Sequence, residues 1–169
     1  MYPKAFIDYL VYFHSSRDYF ECHEVLEEYW KKEGMTNKLW VGLIQLAVAM
    51  YHHRRDNYKG AKKQLNKAIQ ILEQDKEKLK ALGINEDKLM EILFTKQGEI
   101  EKLIPYSPIT IPIKDKNIIE ACMKNAQEKG DSWGDENIKV SNELIHKHKL
   151  RDRSQIIEER KQQLYKKKS

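Results

Sequence analysis

The sequence predicts an all-α protein: a compact, irregular helical bundle built on a helical hairpin, with an extended proline-rich strap and a charged helical C-terminal tail. Three observations predict it. Apolar residues recur at helical spacing through the first hundred of the 169 residues. Helix starts are spelled out by capping residues, clearest at Asp18 and Asn85. Finally, Leu39 to Tyr51 carries no charge and one strongly polar side chain, Gln45, so that helix is expected to be enclosed by others.

Taken in order, Pro3 suits a first helical turn, and Phe6, Ile7, Leu10 and Phe13 give helix one an apolar stripe. Asp8 interrupts this segment and no small-residue cleavage site follows, which argues against a signal peptide. No run approaches the length that crosses a membrane, so a cytoplasmic protein without membrane contact is expected. Cys22 and Cys122 lie far apart without C-x-x-C spacing, as expected of reduced thiols rather than a redox or zinc motif.

The second helix begins at Asp18, with Glu21 placed to complete a capping box. At about 100° per residue, Cys22, Val25, Leu26, Tyr29 and Trp30 share an apolar arc that also takes in His23 and Glu27. Glu21, Glu24 and Glu28 fall on the opposite, solvated side, where Glu28 can pair with Lys31 or Lys32. His23 and Glu27 are stacked neighbours at i and i+4. The zinc-protease pattern H-E-x-x-H is not met, because Glu27 stands where its second histidine would be.

Helix three supplies complementary groups: Gly42, Gln45, Ala49 and His52 project to one side, and the small residues permit close helix approach. Gln45 and His52 are expected to meet His23 and Glu27 as a buried polar cluster, with Glu24, His53 and Asn57 as secondary members. His53 points about 100° away from His52 and joins only if the helix end turns. Arg54 to Asn57 forms the hairpin turn, and Tyr58, Ala61, Leu65, Ala68, Ile69 and Leu72 mark helix four. Its spacing is like half of a tetratricopeptide repeat, but no second copy follows at about 34 residues.

Residues 16–72 resemble the bacterial and archaeal family catalogued as domain of unknown function 309. The resemblance runs through Glu21, His23, Glu24, Glu27 and Trp30, then Gly42, Gln45 and His52, then Asn57, Gly60 and Ala61. It implies a compact intracellular all-α domain with polar residues gathered between helices, and it implies no activity. The remainder of the chain looks like the long form found in Bacillus-type bacteria.

Beyond Leu72 the helical pattern runs on toward Leu82 and stops at Gly83. Asn85 opens a further helix, with Leu89, Ile92, Leu93, Ile100 and Leu103 as its stripe. Pro105, Pro108 and Pro112 then exclude helix, and Ile104 to Ile113 is expected to lie as an apolar strap across the bundle. A short helix spans Asn117 to Glu128, and Trp133, in a polar turn, is expected to pin the chain to the core. The organisation is thus a helical core over 1–104, a strap, short helix and turn over 105–135, and a basic tail over 136–169. The tail holds ten Lys/Arg against five Asp/Glu, whereas residues 1–135 balance at 21 against 21.

Three classes of function fit these residues. The leading one is a non-enzymatic binding or scaffold protein, with a protein or small-molecule partner, in which His23, Glu27, Gln45 and His52 form the polar cluster. The second is a metal-dependent hydrolase-type enzyme in which His23, Glu27 and His52 hold zinc or iron and leave a position open for water. The third is a nucleic-acid accessory protein that attracts phosphates through its tail.

Overall fold

A computed structural model describes residues 2–131 and 133. Its helices are α1 (Lys4–His14), α2 (Tyr19–Lys32), α3 (Lys38–Arg54), α4 (Tyr58–Gln74), α5 (Lys76–Ala81), α6 (Glu86–Glu101) and α7 (Lys116–Glu128). α3, which contains the uncharged run from Leu39 to Tyr51, lies between α2 and α4; α1 packs on α2 and receives α7, while α6 covers α4. Among the described residues there is no strand, only an isolated antiparallel bridge between Ile84 and Ile113. The basic tail lies outside the described residues.

Local chemistry sets the boundaries. The Asp18 carboxylate accepts from the Glu21 amide at 3.1 Å and starts α2. Asn37, Asn57, Asn85 and Asp115 do the same for α3, α4, α6 and α7. The α2 helix ends with Lys31 and Lys32 in its last turn, where cations complement the carbonyl end of the helix dipole. Gly83 closes α5 at φ +76°, and a Cβ there would sit 2.7 Å from the Ile118 side chain, so glycine is required twice over.

A continuous core runs through the bundle: Phe6, Tyr9, Leu10 and Phe13 from α1, Tyr19 and Leu26 from α2, Leu43, Leu46 and Met50 from α3, Leu65 and Leu72 from α4. Full burial stabilises each large apolar side chain by about 1.5 to 3 kcal/mol. Close approach of α3 to α4 depends on Gly42, whose missing Cβ leaves room for Leu72 and Ile71.

Two expectations need correction. The helix after Leu72 is not continuous: it breaks at Asp75, whose φ of −111° and ψ of 30° depart from helical values, and α5 starts afresh. Leu103 does not extend the stripe of α6, because it adopts φ +58° beyond the helix end and is 64% exposed.

The strap from Ile104 to Ile113 lies over the bundle with Ile109 and Ile111 buried. At its ends the Ile104 amide donates to the Glu99 carbonyl and the Pro112 carbonyl accepts from the Asn85 amide, and between them several peptide groups take partners from side chains of the helical core. His53 meets the Ile104 carbonyl at 2.8 Å, Lys96 donates to the Ser107 carbonyl at 3.0 Å, and Arg17 donates to the Ile109 carbonyl at 3.0 Å. The Ile111 amide donates to His14 at 2.9 Å. Beyond α7, the Trp133 ring lies 4.8 Å from that of His14.

Candidate functional site

Rotation of α2 about its axis decides where His23 and Glu27 lie. The fully buried edge runs through Tyr19, Cys22 and Leu26, which places His23 and Glu27 on the rim rather than inside. Their side chains are 23% and 32% exposed. The i,i+4 contact is made, with His23 Nε2 2.7 Å from a Glu27 oxygen, and the other Glu27 oxygen receives Lys31 at 3.0 Å. Glu24, on the solvated side, comes within 3.5 Å of His23 Nδ1. Glu28 is exposed and pairs with Lys32.

From α3, His52 comes to the same rim. Asn57 fixes its tautomer: the Asn57 carbonyl oxygen accepts from the Gly60 amide, which turns the amide nitrogen toward His52 Nδ1 at 3.2 Å. His52 Nδ1 is therefore an acceptor, and the proton of the neutral ring sits on Nε2. Gly60 has no Cβ, which would lie 3.1 Å from the His52 ring and 2.7 Å from the Asn57 amide.

His23 and His52 meet at a shallow recess between α2 and α3 that is also lined by Tyr19, Phe20, Val48 and Tyr51. The recess holds only about 20 Å³. That is room for about one water molecule. Phe20 presents an edge-to-face contact to His23, and Arg55 lies over the Tyr51 ring at 5.2 Å. The aromatic lining is buried, and the two histidines at its edge are half-buried.

Gln45 is not part of this contact. It lies on the same helix, half-buried, with its side-chain oxygen lacking a hydrogen-bond partner among the described residues. The buried four-member cluster expected from sequence is thus replaced by a half-exposed rim of His23, Glu27 and His52. His53, a secondary candidate, is fully buried elsewhere, beneath the strap.

The donor set does not fit the metal expectation. Among the described residues, no three His, Cys, Asp or Glu side chains are grouped as a metal ion requires. His23 Nε2 is engaged by Glu27, and His52 Nδ1 by Asn57. Zinc or iron bound by His23, Glu27 and His52 would need both contacts rearranged.

A second polar constellation, not found from sequence, sits below the strap. His14 donates through Nδ1 to the Leu10 carbonyl and accepts the Ile111 amide at Nε2, so the ring is neutral. Burial lowers its pKa to about 3, with the Arg17 charge acting in the same direction and the Leu10 bond opposing. Burial also lowers the pKa of His53. The hydroxyls of Tyr19 and Tyr106 bond to each other, and Arg54 stacks over both rings. The signal that could have revealed these residues is the strap itself, whose unpaired peptide groups require buried donors and acceptors. Cys22, also buried, donates to the Tyr9 carbonyl at 3.4 Å, and burial pushes its thiol pKa well up, so it packs as a small hydrophobe rather than serving as a nucleophile.

Fold and site together define a small all-α protein whose polar rim lies where a histidine-glutamate helix meets one that carries Gly42 and Gln45. The chain belongs to the family described as domain of unknown function (DUF309), whose model matches residues 6–64. That span starts earlier and ends earlier than the expected 16–72. Over 170 aligned residues the chain is 45% identical to "Uncharacterized protein YpuF" of Bacillus subtilis (strain 168), covering 99% of this chain and 98% of that protein. The likeness therefore includes the strap, α7 and the tail. No solved structure matches the chain.

Proposed function

We infer that the protein is a non-enzymatic binding or scaffold protein that receives a projecting group of a protein partner at the His23–His52 rim. The observation that carries this reading is the size and lining of the recess. At about 20 Å³ it is far below the roughly 300 Å³ and more of pockets that enclose small-molecule ligands. An aromatic floor with two imidazoles at its edge suits a shallow contact, in which an apolar side chain covers Phe20 and Tyr51 and a polar group meets His23 or His52. Glu27, tied to Lys31, holds the His23 ring in place for such a contact. A cytoplasmic location belongs to the same reading and is supported by two buried cysteines kept as thiols. None of the described helices is long and apolar enough to cross a membrane.

The test is site-specific photo-crosslinking of the full chain in bacterial cells. A crosslinker at exposed Glu24, beside the rim, is expected to give one discrete protein adduct that disappears in His23→Ala and His52→Ala. The same crosslinker at Lys63, on the exposed side of α4, is the control. Equal adducts at both positions, or an adduct indifferent to both histidines, would refute the reading. Elemental analysis of untagged protein tests the metal alternative: one metal per chain, lost in His23→Ala, would move the conclusion to the hydrolase-type enzyme.

A further inference from the structure

Arg17 and Arg54 leave a charge imbalance beneath the strap. Arg17 is 3% exposed; its Nη1 donates to the Phe13 and Ile109 carbonyls, while Nε and Nη2 are buried without any partner. Arg54 donates Nη1 to the Arg17 carbonyl at 2.8 Å, and its own Nε and Nη2 are likewise buried and unpartnered. Neither guanidinium forms an ion pair with a described carboxylate. Asp18, buried in the same bend, supplies a negative charge nearby but accepts from none of these nitrogens, and leaving charged donors buried and unpartnered is unfavourable.

The same bend contains further donors. Ser15 is fully buried, and the hydroxyls of Ser15 and Ser16 have no partner. The backbone at Arg17 adopts φ +58°, a conformation that glycine would take more easily. Two carbonyls use one of the three nitrogens of Arg17, which leaves two unexplained by strap attachment. The bend thus presents unpartnered guanidinium nitrogens and hydroxyls beside the single buried carboxylate of Asp18, and a guanidinium fork of this kind is suited to an oxyanion.

We propose that Ser15, Ser16, Arg17 and Arg54 form a binding site for a small oxyanion group, phosphate or carboxylate, with the strap over 106–109 as its cover. Entry requires the strap to lift. Among the described residues, 105–111 make no backbone-to-backbone hydrogen bond, so lifting this segment breaks side-chain contacts only. When it lifts, a ligand oxygen takes the place of the Ile109 carbonyl on Arg17 Nη1, and the unpartnered nitrogens of both arginines gain acceptors. Arg54 is pre-oriented for this by stacking at 4.7 Å over the ring of Tyr19, which belongs to α2 and stays in place when the strap lifts.

The test is titration of the full chain with inorganic phosphate and, separately, sodium acetate, against chloride at constant ionic strength. The readouts are the thermal midpoint and the Nε–H resonances of Arg17 and Arg54. The expected result is a saturable stabilisation by at least one anion, with both Nε–H signals moving along the same binding curve. Response to phosphate alone assigns a phosphoryl ligand, and response to acetate alone a carboxylate ligand. Arg54→Gln is expected to weaken binding at least tenfold, while Arg55→Gln keeps it. Arg17→Gln is not used, because it would also release the Ile109 carbonyl. No saturable response to either anion, or binding unchanged in Arg54→Gln, overturns the proposal.

Discussion

Acidification should weaken the fold through His14 in a way that one substitution removes. The His14 ring accepts the Ile111 amide and donates to the Leu10 carbonyl, so a proton added at Nε2 would face a donor and break the attachment of the strap. Its pKa falls from 6.5 to about 3 on folding, chiefly because it is buried. The unfolded chain therefore takes up this proton first as pH falls. The stability conferred by the neutral ring is complete above the unfolded pKa and is lost as pH drops through 6.5 toward about 3, at a limiting slope of about 1.4 kcal/mol per pH unit. From pH 6.5 to 4.5 the loss amounts to about 2 kcal/mol, a sizeable part of the roughly 5 to 15 kcal/mol that holds a typical domain. His53, shifted in the same direction by burial, adds to the loss. Urea unfolding at several pH values, comparing the natural chain with His14→Gln, reads this directly. Glutamine keeps a donor and an acceptor but does not titrate, so its stability should fall less steeply, by about 2 kcal/mol over that interval. Parallel pH profiles would refute the assignment of a neutral His14 beneath the strap.

Gly42→Ala is expected to cost about 1 to 3 kcal/mol despite the better helix propensity of alanine, because the added Cβ would lie 2.8 Å from Leu72 Cδ2 and 3.0 Å from Ile71 Cγ2. Unchanged or raised stability in urea unfolding would show that α3 and α4 can separate without penalty. Glu27→Ala should cost less than about 1 kcal/mol, as expected of a pair whose side chains are a quarter to a third exposed. A loss near 3 kcal/mol would restore the buried lock that the sequence suggested.

The helices were legible because their determinants are local. Asp18, Asn85 and the uncharged run from Leu39 to Tyr51 mark α2, α6 and α3 within a few residues of sequence. The break at Asp75 was less visible: the residues on either side form helix readily, and the interruption lies in one backbone conformation. At the site, the His23–Glu27 contact followed from i,i+4 spacing alone. The depth of that pair did not, since it depends on how α2 rotates against its neighbours, and the anchoring of Cys22 and Leu26 turned both polar groups to the rim. Gln45, half-buried on α3, does not line the recess where His23 and His52 lie. His14 and Arg17 were missed because their partners Ile111 and Ile109 lie 97 and 92 residues away, and no periodicity records such a contact.

Those long-range attachments bear on the order in which the chain can fold and on where it can be divided. The segment matched by the family model, residues 6–64, contains His14, Arg17 and His53, and each bonds a residue in 104–111, His14 and Arg17 in addition to the local carbonyls of Leu10 and Phe13. A fragment ending at residue 64 would lose Leu65 and Leu72 from the core and leave His14, Arg17 and His53, on two helices and the turn between α1 and α2, without the strap, so it is expected to fold less stably than the full chain. During folding, α1 to α4 can assemble from near-neighbour contacts, and seating of the strap is the late, high-contact-order step. Cutting the chain after Glu101 should therefore leave helix content largely intact while lowering cooperativity, since the last residues to arrive satisfy some of the first polar groups to be buried.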